Sequence, residues 1–207
     1  TPIKHTATGR FKHEGGTIHV TDDGTVVCYS GDDERFEYIY KFVSSRRMQS
    51  GRSGAAVRHN MGILTEGTLY VATFSGNSPA DQITGDGTLP EDGAFDGTGE
   101  WIKLVTSKAD GTAESHVDGF TGVEALVYTR EAADKVGATK MDRPEDVEPN
   151  PASGKIYVAL TNNKNRRKTK DDGTPYPGVD EANPRVENKN GQVLEIADDH
   201  AGTTFTW

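Results

Sequence analysis

The sequence predicts an all-β fold, several blades of a larger β-propeller with a short accessory helix near residues 130–136. Three observations carry that reading. The 24 glycines recur in Asp-Gly turns, at Asp23-Gly24, Asp86-Gly87, Asp92-Gly93, Asp96-Gly97 and Asp172-Gly173, a pattern of short strands and tight loops. Apolar residues make up only 33% of the chain and fall in short runs, so the core is thin and built from short elements. The chain also echoes itself. Glu14 precedes Gly24, and Glu145 precedes Gly154, by nearly the same interval, and each glycine leads into a short apolar strand. Strand repeats of this size point to propeller blades, in which equivalent residues of different blades converge on the axis. Two glutamates far apart in sequence then share one site.

The elements follow in order. Thr17–Val20 and Val26–Tyr29 flank Asp22-Asp23-Gly24, a hairpin signal. Gly31-Asp32-Asp33-Glu34 is a charged turn whose acids suit either solvent or a calcium ion. Phe36, Tyr38, Tyr40 and Phe42 alternate with Glu37, Ile39 and Lys41, which reads as a strand with one aromatic face used for packing. Residues 44–60 read as a polar loop with Arg46, Arg47, Arg52, Arg58 and His59, able to admit a phosphate or simply to pair with nearby acids. Thr68–Phe74 is a strand, residues 75–99 a long surface loop, and Trp101–Val105 a further strand. Thr129 is placed to cap a helix that Gly137 ends. Ile156–Leu160 is a buried strand, residues 164–184 an exposed basic and Pro-rich excursion, and Gly191–Ile196 a strand. The alternating Thr203–Trp207 reads as a strand just begun, so the 207 residues are expected to be a fragment of a single propeller domain.

Charge narrows the function. A net charge of −9 and a pI near 5.1 argue against nucleic acid, whose binding rests on Lys and Arg at phosphates, and favour cations. No apolar run approaches the ~20 residues that span a bilayer. One cysteine, Cys28, excludes an intrachain disulfide and a cysteine-rich zinc site; within its apolar strand it reads as a small hydrophobe.

The organising stretch is Asp142–Pro151. Four carboxylates and an arginine sit within seven residues, flanked by Pro144, Pro149 and Pro151. Proline fixes its own φ and pushes the residue before it, here Arg143, Glu148 and Asn150, towards extended geometry. A rigid acidic approach to a buried strand either pairs its charges, holds a cation, or is a solvated turn. In an extended segment Asp146 and Glu148 point away from Glu145.

Gly9-Arg10-Phe11-Lys12-His13-Glu14-Gly15 resembles a signature of the PhoX-type alkaline phosphatases. So do Gly31–Arg35 with Glu37–Val43, Glu66–Ala72, Arg143-Pro144-Glu145-Asp146 and Asn183-Pro184-Arg185, in order along nearly the whole chain. The resemblance implies a periplasmic or secreted β-propeller, monomeric at full length, that hydrolyses small-molecule phosphate esters. It implies calcium and iron as cofactors, held around the axis by carboxylates and by a cysteine expected outside this chain. On that likeness Glu14 and Glu145 are metal ligands and Arg143 orients the phosphate. His13 is expected to support the site rather than act as a base. Two rival readings stay open. One is a calcium-dependent lactonase or phosphotriesterase propeller, for which Asn162, Asn163 and Asn188 would matter more. The other is a non-catalytic binding propeller.

Overall fold

The computed structural model describes residues 2–207 and is all-β with a few short helices. Its strands form two antiparallel meanders. The first comprises β1 (His13–Val20), β2 (Thr25–Asp32), β3 (Ile39–Arg47), β4 (Gly67–Gly76) and β5 (Gly97–Ser107), each paired with the next. A short β6 (Ala113–Ser115) pairs with β5. The second comprises β7 (Pro144–Pro149), β8 (Ile156–Leu160), β9 (Gln192–Asp198) and β10 (Thr204–Thr206). These blade-like units join edge to edge where β10 pairs with β5, giving the order β1-β2-β3-β4-β5-β10-β9-β8-β7.

Period-two alternation explains the two cores. Along β3, Ile39 faces the second meander with Val27, Tyr29, Trp101, Val147, Ile156, Val158 and Ile196. Tyr40 and Phe42 face the other way, with Leu69, Val71 and Leu104 and with alanines of the helices α2 (Gly122–Val127) and α3 (Thr129–Lys135). The central strands are thus buried on both faces. Lys41 falls on the Ile39 side and is fully buried there, paired with Asp198 of β9.

Several expectations change. The polar stretch 44–60 contains a helix, α1 (Gly54–Met61), capped by the Ser53 hydroxyl on the Ala56 N–H. The acidic approach is itself a strand, β7. The Phe36–Phe42 strand begins only at Ile39: Phe36 takes a left-handed φ of 67° and stacks on Tyr176 with ring centroids 5.2 Å apart. Thr129 is the first residue of α3 rather than its cap. Its hydroxyl donates to the Leu126 carbonyl and accepts from the Arg10 N–H, tying the N-terminal segment to the helices. The helix before it carries the capping box, Thr121 with Glu124. The basic excursion is anchored by Arg166, 1% exposed, whose guanidinium grips Asp142 at 2.5 Å and the carbonyls of Gly178 and Lys140 at 2.7 Å. Among the described residues no helix is long and apolar enough to cross a membrane.

Candidate functional site

The two meanders open alike. Glu14 is the second residue of β1 and Glu145 the second residue of β7; the pairing register slips just beyond Glu14 in β1 and across Glu145, between Pro144 and Val147, in β7. At β1 the slip is served by Gly15-Gly16, with Gly15 at φ 65°. Glu14 pairs across the sheet with Gly31. Gly31 in turn lies directly beneath β7: a Cβ there would stand 2.2 Å from the Pro144 carbonyl oxygen and 2.7 Å from that of Glu145. Only glycine permits that approach. The two glutamates therefore lie on strands that meet over Gly31, and the Thr17 hydroxyl, 3.2 Å from the Glu148 carboxylate, fixes their register.

Arg143 sits at the entrance to β7. Contrary to its expected extended geometry before Pro144, it adopts a left-handed φ of 62°. A non-glycine residue in this region is strained, and such strain persists where surrounding contacts over-determine it. Those contacts are visible. The Arg143 carbonyl accepts from the Thr161 N–H at 3.2 Å, and Asp142 bridges to Arg35. The Arg143 guanidinium then turns onto Asp33, with Nε 2.8 Å from Oδ1, and onto Glu145, with Nη1 2.9 Å from Oε1. Glu145 also accepts the Thr161 hydroxyl at 2.8 Å. Arg143, Asp33, Glu145 and Thr161 thus form one half-buried cluster at the ends of β2, β7 and β8.

Neighbours brace the cluster. The α3 residue Arg130 forks onto buried Asp32, Nε to Oδ2 at 2.7 Å and Nη2 to Oδ1 at 2.5 Å, which locks the residue before Asp33. Beside it Glu37 is half-buried, and burial pushes its carboxyl up to about 7. His13 stacks on Phe11 at 3.7 Å and sits 3.0 Å from the Ser30 hydroxyl and 3.1 Å from the Gly9 carbonyl. Both ring nitrogens are engaged, and burial lowers its basicity.

The remaining candidates lie elsewhere. Asn163 and Asn188 are buried in loop scaffolding: the Asn163 N–H donates to the Asn188 carbonyl at 2.6 Å, and Asn188 donates to Asp142 at 3.1 Å. Asn162 faces Arg35 instead. The arginine-rich stretch is remote, since Arg47 pairs with Thr25 at one end of the β2–β3 ladder and Gly31 with Ile39 at the other. There Arg47 pairs with Asp23 at 2.6 Å and Arg46 with His59 at 2.8 Å. Cys28 lies on the opposite face of β2 from Tyr29, in a cavity of about 280 Å³ with Phe11, Tyr40, Phe42 and Leu69; burial pushes its thiol up to about 11. From the sequence Asp33 reads as one acid of a charged turn that suits solvent or calcium, and Arg35 and Thr161 carry no assigned role. Only the crossing of β7 over the end of β2 unites them.

Iron accepts carboxylates as well as nitrogen and sulfur ligands, and calcium takes hard oxygen donors. Asp33, Glu145 and Thr161 offer them in kind, with exposed Glu14 across Gly31. Among the described residues, however, no three His, Cys, Asp or Glu side chains converge on one point, and Cys28 is turned away. The donor chemistry fits a hard cation; the donor count falls short of a complete shell.

The family described as alkaline phosphatase PhoX matches residues 1–207. Among solved structures, Pseudomonas fluorescens PhoX in complex with vanadate, a transition state analogue, superimposes with a TM-score of 0.73 at 41% identity, covering 100% of this chain and 32% of that one. The chain thus spans about a third of that structure's length. No curated protein matches it.

Proposed function

The chain belongs to the PhoX alkaline phosphatase family, and on that premise we propose that it supplies part of a metal-dependent phosphomonoesterase site. The supporting observation is the cluster of Arg143 with Asp33, Glu145 and Thr161 at the crossing of β7 over Gly31. Glu14 and Glu145 are the residues that would hold calcium or iron, with Asp33 beside Glu145 in the Arg143 cluster; as they stand the three do not converge on one point, and further donors would come from outside these 207 residues. Such ions neutralise charge on a transferring phosphoryl group and activate its nucleophile.

The chain's own groups do the rest. Arg143 presents a planar fork that matches two phosphate oxygens, which a lactone substrate does not require. Its pairing with two carboxylates holds it poised until those carboxylates turn to a cation. Thr161 fixes one oxygen of Glu145, and Arg130 fixes Asp32 behind Asp33, so the acids are oriented before any ligand arrives. The lactonase reading draws no support from Asn163 and Asn188, which are committed to the loop scaffold. A periplasmic or secreted location and a monomeric full-length protein belong to the same proposal.

The test is elemental analysis and phosphomonoester turnover on the natural protein that carries this chain. Bound calcium and iron with turnover, both lost in Glu145→Gln, support the reading. A protein that binds no metal and cleaves no ester overturns it and leaves a binding propeller in its place.

A further inference from the structure

We propose that Arg35 is a second anion-binding guanidinium of this site, gripping a phosphate oxygen alongside Arg143; the inference rests on the phosphatase reading above. The backbone of Arg35 bridges Asp142, the residue before Arg143, so the two arginines leave adjacent antiparallel segments. What sets Arg35 apart is its partnering. Arg143 is held by Asp33 and Glu145, Arg130 by Asp32, and Arg166 by Asp142. The carboxylates near Arg35 are engaged: Asp33 by Arg143, Glu34 by Lys12 at 2.5 Å and by the Arg35 backbone N–H at 3.1 Å, and Asp142 by Arg166 and Asn188.

Among the described residues Arg35 therefore makes no ion pair. Its guanidinium makes one hydrogen bond, from Nη2 to Asn162 Oδ1 at 3.3 Å, while Nε is buried without an acceptor. A buried charged N–H left without an acceptor is costly, and such groups mark places where a ligand or an ordered water completes the bonding. Asn162, which takes one end of the fork, follows Thr161, whose hydroxyl holds Glu145, and Arg35 bridges the residue before Arg143, so Arg35 is anchored by segments that also carry the acidic cluster. Arg143 must release carboxylates before it can bind an anion; Arg35 has donors to spare.

The experiment uses the natural protein loaded with calcium and iron. It measures p-nitrophenyl phosphate turnover and competitive inhibition by inorganic phosphate for wild type, Arg35→Gln and Arg35→Lys, with metal content alongside. The expected result is a tenfold or larger rise in the inhibition constant for phosphate and in KM for Arg35→Gln at unchanged metal content, partly restored in Arg35→Lys. An inhibition constant within twofold of wild type overturns the proposal while leaving the phosphatase reading intact. A metal-loaded wild type that turns over no ester and binds no phosphate removes both. Should Arg35→Gln lose metal or melt early, Arg35→Lys decides: a threefold or larger rise supports the role, and no change overturns it.

Discussion

Replacing Asp198 by Asn tests how the two meanders are held together. Lys41 of β3 and Asp198 of β9 are both 0% exposed, with Nζ 3.0 Å from Oδ2. The same oxygen accepts the Tyr29 hydroxyl at 3.0 Å and the Trp101 indole N–H at 2.9 Å, while Oδ1 accepts the His200 N–H at 2.8 Å. Lys41 also donates to the Gly202 carbonyl at 2.8 Å and lies 4.7 Å from the Trp101 ring centroid. One carboxylate thus gathers β2, β3, β5 and β9. Asparagine keeps the shape and removes the charge, leaving a buried ammonium without its counter-ion. Breaking such a pair costs about 3–5 kcal/mol, a large share of a typical stability of roughly 5–15 kcal/mol. At about 2–4 °C per kcal/mol for a chain of this size, the melting temperature should fall by roughly 6–20 °C. The loss should shrink at high pH. Burial already lowers the Lys41 pKa, so the folded state binds fewer protons there than the unfolded state, and stability rises as pH rises through that range. Adding Lys41→Met should recover much of the loss, since it removes the buried ammonium left without its counter-ion. Urea denaturation of the three variants at two pH values is the assay. A loss under about 1 kcal/mol in Asp198→Asn, or a double variant as unstable as the sum of the singles, would refute the reasoning.

Three further outcomes are expected. Glu37 has its folded pKa raised from 4.5 to about 7 by burial, so the folded state keeps a proton that the unfolded chain has lost, and its contribution turns unfavourable as pH rises through that window. Glu37→Gln should therefore gain on the order of 1 kcal/mol over wild type at pH 8 and nothing at pH 4, where equal differences in urea midpoint would contradict the assignment. Gly31→Ala must push β7 outward, so on the proposed reading the natural protein that carries this chain should lose turnover and metal by at least tenfold while its circular dichroism stays that of the wild type; unimpaired activity would show the crossing is slack. Thr121→Ala removes the capping box of α2 and should cost about 1 kcal/mol by thermal melting, with a change under about 0.3 kcal/mol counting against the cap.

The strands that were legible are those whose apolar alternation is bounded by glycine turns: β2, β4, β5, β8 and β9 lie close to their expected positions. The misses have physical causes. In β7 only Pro144 and Val147 are buried, so charge and proline conceal a strand whose backbone packing matters more than its side chains. In α1 only Ala56 is buried, and the surrounding arginines read as loop; the Ser53 cap on Ala56 appears only in the structure. Phe36 fitted the aromatic alternation, but a left-handed turn carries it to Tyr176. Of the cluster, Arg143 and Glu145 were named from the resemblance, and they lie only two residues apart, so their contact is local. Asp33 and Arg35 were not legible as its members, because their partners lie more than a hundred residues away and are supplied by the crossing alone.

That crossing also bears on selectivity. With two backbones in van der Waals contact at Gly31, the strands bearing Glu14 and Glu145 cannot draw closer. Any adjustment of the gap between their carboxylates must come from side-chain rotation. On the proposed metal reading, a small ion such as magnesium, which demands near-ideal octahedral geometry at ~2.0–2.1 Å, would be poorly served by donors on so incompressible a frame, whereas calcium tolerates longer and irregular distances. If the proposed site holds a cation, the frame would act as a lower size limit, a discrimination set by the missing side chain of Gly31 rather than by the chemistry of the ligands.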